Sequence, residues 1–262
     1  MNYIKYILIS WVVFSCTNTE VDINTLDAPV VVSYLHPNQE AIVDVTYQID
    51  FINGDTTAQK IEGLNIMLSD GENEYELEEI GDGLYKQSSM LIQEEKAYTL
   101  SFDYKEVIIS SITEVPTKPT GFELSASYIE AFSVSGGFPN FSRPEPVSVT
   151  YSNPLEEYHY IGVRCVEENP TLINAIEEDE ELPSLAFHIK PSTGDKEQLT
   201  PFQFMYYGKH EVILYKVTPE FAALFDQEDN SSINITDPYT NIENGFGIFS
   251  GINSDTLSLL VI

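Results

Sequence analysis

Basic residues, cysteine and tryptophan are all scarce in this chain of 262 residues. Lysine and arginine total 12 against 42 aspartates and glutamates, for a formal net charge of −30. That acidity argues against nucleic-acid binding, because a phosphate backbone needs a concentrated basic surface to release its counterions. It also argues against electrostatic docking on an anionic membrane face. The two cysteines, Cys16 and Cys165, are too few for a disulfide-stapled scaffold. The one tryptophan, Trp11, falls in the leader segment, so aromatic stacking in the mature chain would rest on tyrosines such as Tyr158, Tyr160, Tyr206 and Tyr207.

Catalytic and cofactor signatures are also missing. There is no G-x-S-x-G element, phosphate loop or dinucleotide fingerprint. The histidines His36, His159, His188 and His210 form no H-x-H or H-x-x-x-H pair, which removes the local signature of a zinc site. With 42 acids, any pair chosen for glycoside hydrolysis would be uninformative. The sequence therefore points to no enzyme, no cofactor and no metal. The run Glu177-Glu-Asp-Glu-Glu181 and the acids Asp226, Glu228, Asp229 and Asp237 offer oxygen ligands to calcium. They lack the alternating spacing and the glycine of a dedicated loop and read first as solvated loops.

What is present begins with an export signal. Lys5 is followed by an apolar stretch over residues 6–14, broken only by Ser10 and too short for the roughly 20 residues of a membrane span. Val13 and Ser15 then precede Cys16 as a lipobox does, with Phe14 departing from its usual small or aliphatic residue. This predicts a lipoprotein signal peptide over residues 1–15 and lipidation of Cys16, with simple secretion as the alternative. Residues 16–27 are polar and acidic and read as a tether.

A hydrophobic content of 42% suffices for a core, and strand patterning dominates the rest. Val43, Val45, Tyr47, Ile49 and Phe51 alternate with polar residues, the period of a strand with one wet face. Leu64, Ile66 and Leu68 alternate likewise, and Asp70-Gly71 predicts a hairpin turn. About seven such segments predict an immunoglobulin-like β-sandwich over residues 28–115. Val115-Pro-Thr-Lys-Pro119 reads as an extended linker. Residues 120–262 predict a second β-rich domain, with a strand over residues 122–128 and one short helix over residues 219–228. That helix is capped by Thr218, opens on Pro219 and presents Phe221, Leu224 and Phe225 on one face. Cys165 lies in a strand pattern and reads as a buried small hydrophobe.

Near the end stands Asn241-Ile-Glu-Asn-Gly-Phe-Gly-Ile-Phe249, whose Gly245 and Gly247 predict a bulged strand closing the second sheet, with a ligand-contacting loop as the alternative. Taken with Ala28-Pro-Val-Val-Val-Ser-Tyr-Leu35, Gly83-Leu-Tyr85 and Ser111-Ile-Thr-Glu-Val-Pro116, it resembles a cell-envelope lipoprotein family of the Bacteroidota. Members of that family carry a domain of unknown function and are commonly encoded near TonB-dependent outer-membrane receptors. The resemblance covers nearly the whole mature chain and carries over no catalytic residue. It implies a lipid-anchored protein of the outer membrane that binds a ligand or partner, with a TonB-dependent receptor as candidate partner. The alternatives are a structural or adhesive surface lipoprotein and, less favoured, a peptide or glycan hydrolase.

Overall fold

The computed structural model describes residues 28–49, 57–133, 145–177, 180–226 and 239–262. The leader, Cys16 and the tether lie outside the described residues. So do Phe51 and, among the acids offered to calcium, Glu178, Asp179, Glu228, Asp229 and Asp237.

The chain is mostly β, with one short α-helix. β1 (Val30–Leu35) and β2 (Ala41–Thr46) bury Val31, Leu35, Val43 and Val45 completely, because alternate side chains of a strand share one face. β3 (Met67–Ser69) and β4 (Glu74–Glu76) form the hairpin expected at Asp70-Gly71. Asp70 closes it by accepting the amides of Glu72 and Asn73 at 3.0 and 2.8 Å. β5 (Glu78–Gly81), β6 (Leu84–Gln87), β7 (Lys96–Tyr104) and β8 (Val107–Val115) follow. Two sheets face each other here. One holds β5, β6, β2 and β1 in that order, and the other holds β4, β3, β7 and β8. Together they form an immunoglobulin-like sandwich around Tyr85, Leu100 and Ile109.

The later part contains β9 (Thr120–Leu124), β10 (Tyr128–Ile129), β11 (Val147–Ser152), β12 (His159–Cys165), β13 (Ala186–Ser192), β14 (Lys196–Leu199) and β15 (Gly208–Val217). Helix α1 (Pro219–Asp226) and the long β16 (Phe246–Val261) complete it. Residues 122–128 do not form one strand. β9 pairs with β11 in a three-stranded sheet, whereas β10 pairs with β16 in the large sheet, so the chain breaks between them to change sheets. A second core gathers Val149, Ile161, Val163, Leu199, Val212, Leu214 and Leu259.

β16 joins the two halves. Its 16 residues span about 50 Å at the usual rise per residue. Phe246 to Gly251 run parallel to β1, and Ile252 to Val261 run antiparallel to β15. One nine-stranded sheet therefore crosses the whole molecule. The glycine-rich motif consequently sits in the first sheet, whereas its local pattern predicts the second. Ile242 and Phe249 fill the first core, although both come from the segment assigned to the second domain.

The motif residues explain this placement. Asn241 accepts the Phe249 amide at 3.0 Å and donates to the Phe249 carbonyl at 2.7 Å, as a neighbouring strand would. Gly247 has φ +103°, and a Cβ there would lie 2.0 Å from the Val31 carbonyl oxygen. Gly251 lets β16 pass β8, since a Cβ would lie 2.4 Å from the Glu114 carbonyl oxygen. The linker is pinned on both sides. The Pro116 carbonyl accepts from Asn253, the Thr117 hydroxyl accepts from Lys216, and Lys118 pairs with Asp255 at 2.9 Å.

Candidate functional site

A cavity of about 190 Å³ opens between the start of β13, the 3₁₀ turn Pro201–Gln203 and the start of β15. Three local causes shape it. Gln203 folds back on its own turn, its side-chain oxygen accepting the Thr200 amide at 2.7 Å. That turn points Phe204 inward and leaves Met205 half in solvent. Tyr206 donates its hydroxyl to the Pro183 carbonyl at 2.7 Å and so holds the incoming segment in place. The walls are largely apolar, with Leu185, Phe187, Phe204 and Met205 among them. Phe187 and Phe204 meet edge to face at 5.3 Å, and Phe204 meets the His210 ring the same way at 5.2 Å.

His210 is the polar group that matters. It is only 3% exposed, on the same face of β15 as Val212 and Leu214. Its Nδ1 lies 3.1 Å from the Gly208 carbonyl oxygen. A carbonyl only accepts, so Nδ1 carries the proton in the neutral ring and Nε2 is left as an acceptor. Among the described residues Nε2 has no hydrogen-bond partner. Burial pushes the His210 pKa below its ordinary value, opposed by the Gly208 carbonyl and the charge of Glu167. The arrangement can accept one hydrogen bond at His210 in a half-open, largely apolar pocket.

The other residues singled out by sequence are dispersed. His159 is buried against Tyr151, ring centroids 4.6 Å apart, with Nδ1 near the Glu157 carbonyl. His188 packs with Tyr160 and Phe225 beneath α1, on the outer face of the large sheet. Tyr206 lines the cavity, and Tyr207 packs against the second core. Cys165 is buried at the end of β12. Among the described residues no three His, Cys, Asp or Glu side chains group as metal ligands. Sequence reasoning alone does not single out His210, Phe204 and Met205 as a site. The available signal is the alternation of His210 with Val212 and Leu214, which places a histidine on a core face.

The described residues form a mostly β protein with one short α-helix, in which β16 joins two cores and a small, largely apolar pocket opens beside the second. The chain belongs to the family described as Domain of unknown function (DUF4249), whose model matches residues 17–258. No curated protein matches it. Among solved structures, the FN1–FN3 domains of chicken CNTN1 are similar at 11% identity and a TM-score of 0.30, over 90% of this chain and 68% of that one.

Proposed function

We propose that this protein is a non-enzymatic lipoprotein of the cell envelope, held to the outer membrane by a lipid on Cys16. It binds a ligand or protein partner as an accessory to a TonB-dependent outer-membrane receptor. The observation that carries the reading is the order of segments at the start of the chain. Lys5, the apolar run and Ser15-Cys16 are followed at residue 17 by the start of the family match. A lipid at that point leaves the matched domain whole and outside the bilayer. The receptor partnership is supported by the family resemblance in residues 28–35, 83–85, 111–116 and 241–249.

The anchor is tested by metabolic labelling with a fatty-acid analogue in cells expressing the chain or Cys16→Ser. Wild type should take up the label and fractionate with detergent, and the variant should do neither. Equal labelling of both would sink the anchor. The partnership is tested by purifying the native lipoprotein from outer membranes. A TonB-dependent β-barrel should co-purify in stoichiometric amount, and recovery of the lipoprotein alone would count against it.

A further inference from the structure

We propose that the cavity between β13, the Pro201–Gln203 turn and β15 binds a neutral aromatic ring carrying one N–H or O–H donor, with His210 Nε2 as its acceptor. The proposal rests on the binding function above and names the chemistry of the ligand.

Size comes first. A dry apolar cavity of about 150 Å³ holds one benzene. The cavity here, about 190 Å³, takes a single ring with a short substituent or a small fused ring. Access is available because Leu185 and Met205 at its mouth are 47% and 45% exposed.

Chemistry narrows the guest further. None of the lining residues carries a formal charge at neutral pH once His210 is neutral, so an ionic guest would lose its hydration without a counter-charge. The wall hydroxyls have their protons engaged, and the Gln203 side-chain oxygen is taken by Thr200. Tyr206 donates to the Pro183 carbonyl, and Ser184 donates to the Ala186 carbonyl at 2.8 Å. A guest that brings its own apolar body and a single donor satisfies the His210 acceptor and fills the remaining space. The edges of Phe187 and Phe204 and the thioether of Met205 favour an aromatic body. Such a ring exists both as a free indole or phenol and as the side chain of a partner's tryptophan or tyrosine.

The test uses the full chain with methyl-labelled methionine. Met205 reports the cavity, while Met67 and Met90 lie in the first half of the chain as internal controls. Indole should move the Met205 methyl resonance saturably and leave Met67 and Met90 in place. Benzofuran has nearly the same shape without the donor and should bind about tenfold more weakly. In His210→Phe the two should bind alike. N-acetyltryptophanamide distinguishes the sources. If it saturates Met205 at least as readily as indole, the ring comes from a partner's side chain; if it does not while indole does, the ligand is a free small molecule. The proposal is overturned if indole gives no saturable movement at Met205, or if indole and benzofuran bind the unmodified chain equally. Both of these results are read on the unmodified chain, so they stand even if His210→Phe fails to fold. Neither depends on fatty-acid labelling at Cys16, which separates this failure from failure of the anchor.

Discussion

Individual ionisable residues set how this protein responds to acid. His159 and His210 are buried, and desolvation lowers both pKa values from the ordinary 6.5. For His159 the nearby Lys216 acts in the same direction. The unfolded chain then binds protons that the folded one refuses, so the stabilisation is complete above the unfolded value and is lost as pH falls below it. Asp70 behaves alike at lower pH. Lys96 at 2.7 Å and the amides of Asn73 and Glu72 hold its carboxyl well below the ordinary 3.8. Its contribution is present above the unfolded value and disappears as pH drops through the folded one. Melting temperature should therefore fall from pH 7 to pH 5 through the histidines. The gap between wild type and Asp70→Asn should stay open over that range and close only below about pH 4. Thermal melts of both proteins across about pH 7 to 2 check this. A gap that narrows already between pH 7 and 5 would exclude the Asp70 account.

At the scale of elements, β16 carries the architecture. Phe249 is fully buried in the first core, on a strand whose second half belongs to the second core. Phe249→Ala should cost about 3–5 kcal/mol. Hydrogen exchange should show the loss first in β1 and β8, the strands that β16 joins and crosses. A fragment of residues 28–116 lacks Ile242, Phe249 and the parallel partner of β1. It should melt well below the same fragment supplied with a peptide of residues 240–252, and equal melting would mean that the first sandwich closes without β16. The alternation in β2 and β7 makes those strands legible from sequence, because inward apolar and mostly polar outward residues follow a period of two, whereas β1 and β8 bury Ser33, Ser111 and Thr113 and turn Val32, Tyr34, Ile108 and Ile112 outward. The partner of the glycine motif is not legible there. Gly245 and Gly247 announce a close backbone approach, but nothing local says whose backbone it is.

Over the whole molecule, a formal charge of −30 opposes compaction through self-repulsion. Exposed charges are screened within about 8 Å at physiological ionic strength, so monovalent salt should raise the melting temperature. At fixed ionic strength, calcium should add no more than sodium does. A calcium-specific rise of many degrees would instead identify a cation site, with the acids at 177–181 and 226–237 as the first to mutate. Melts in chelator and then in calcium decide between the two.

The sequence by itself determined the β class, the hairpin at Asp70, the helix opened by Thr218 and Pro219, and the acidic charge surplus. Each follows from residues close in the chain: alternation, a turn dipeptide, a cap, a charge count. The tertiary structure decided that β16 serves two cores, that Phe249 belongs to the first core, and that His210 lines a cavity with Leu185 and Met205. Those relations join residues far apart in the chain. They depend on which strands pair and in what register, and one chain's local pattern is compatible with many such pairings.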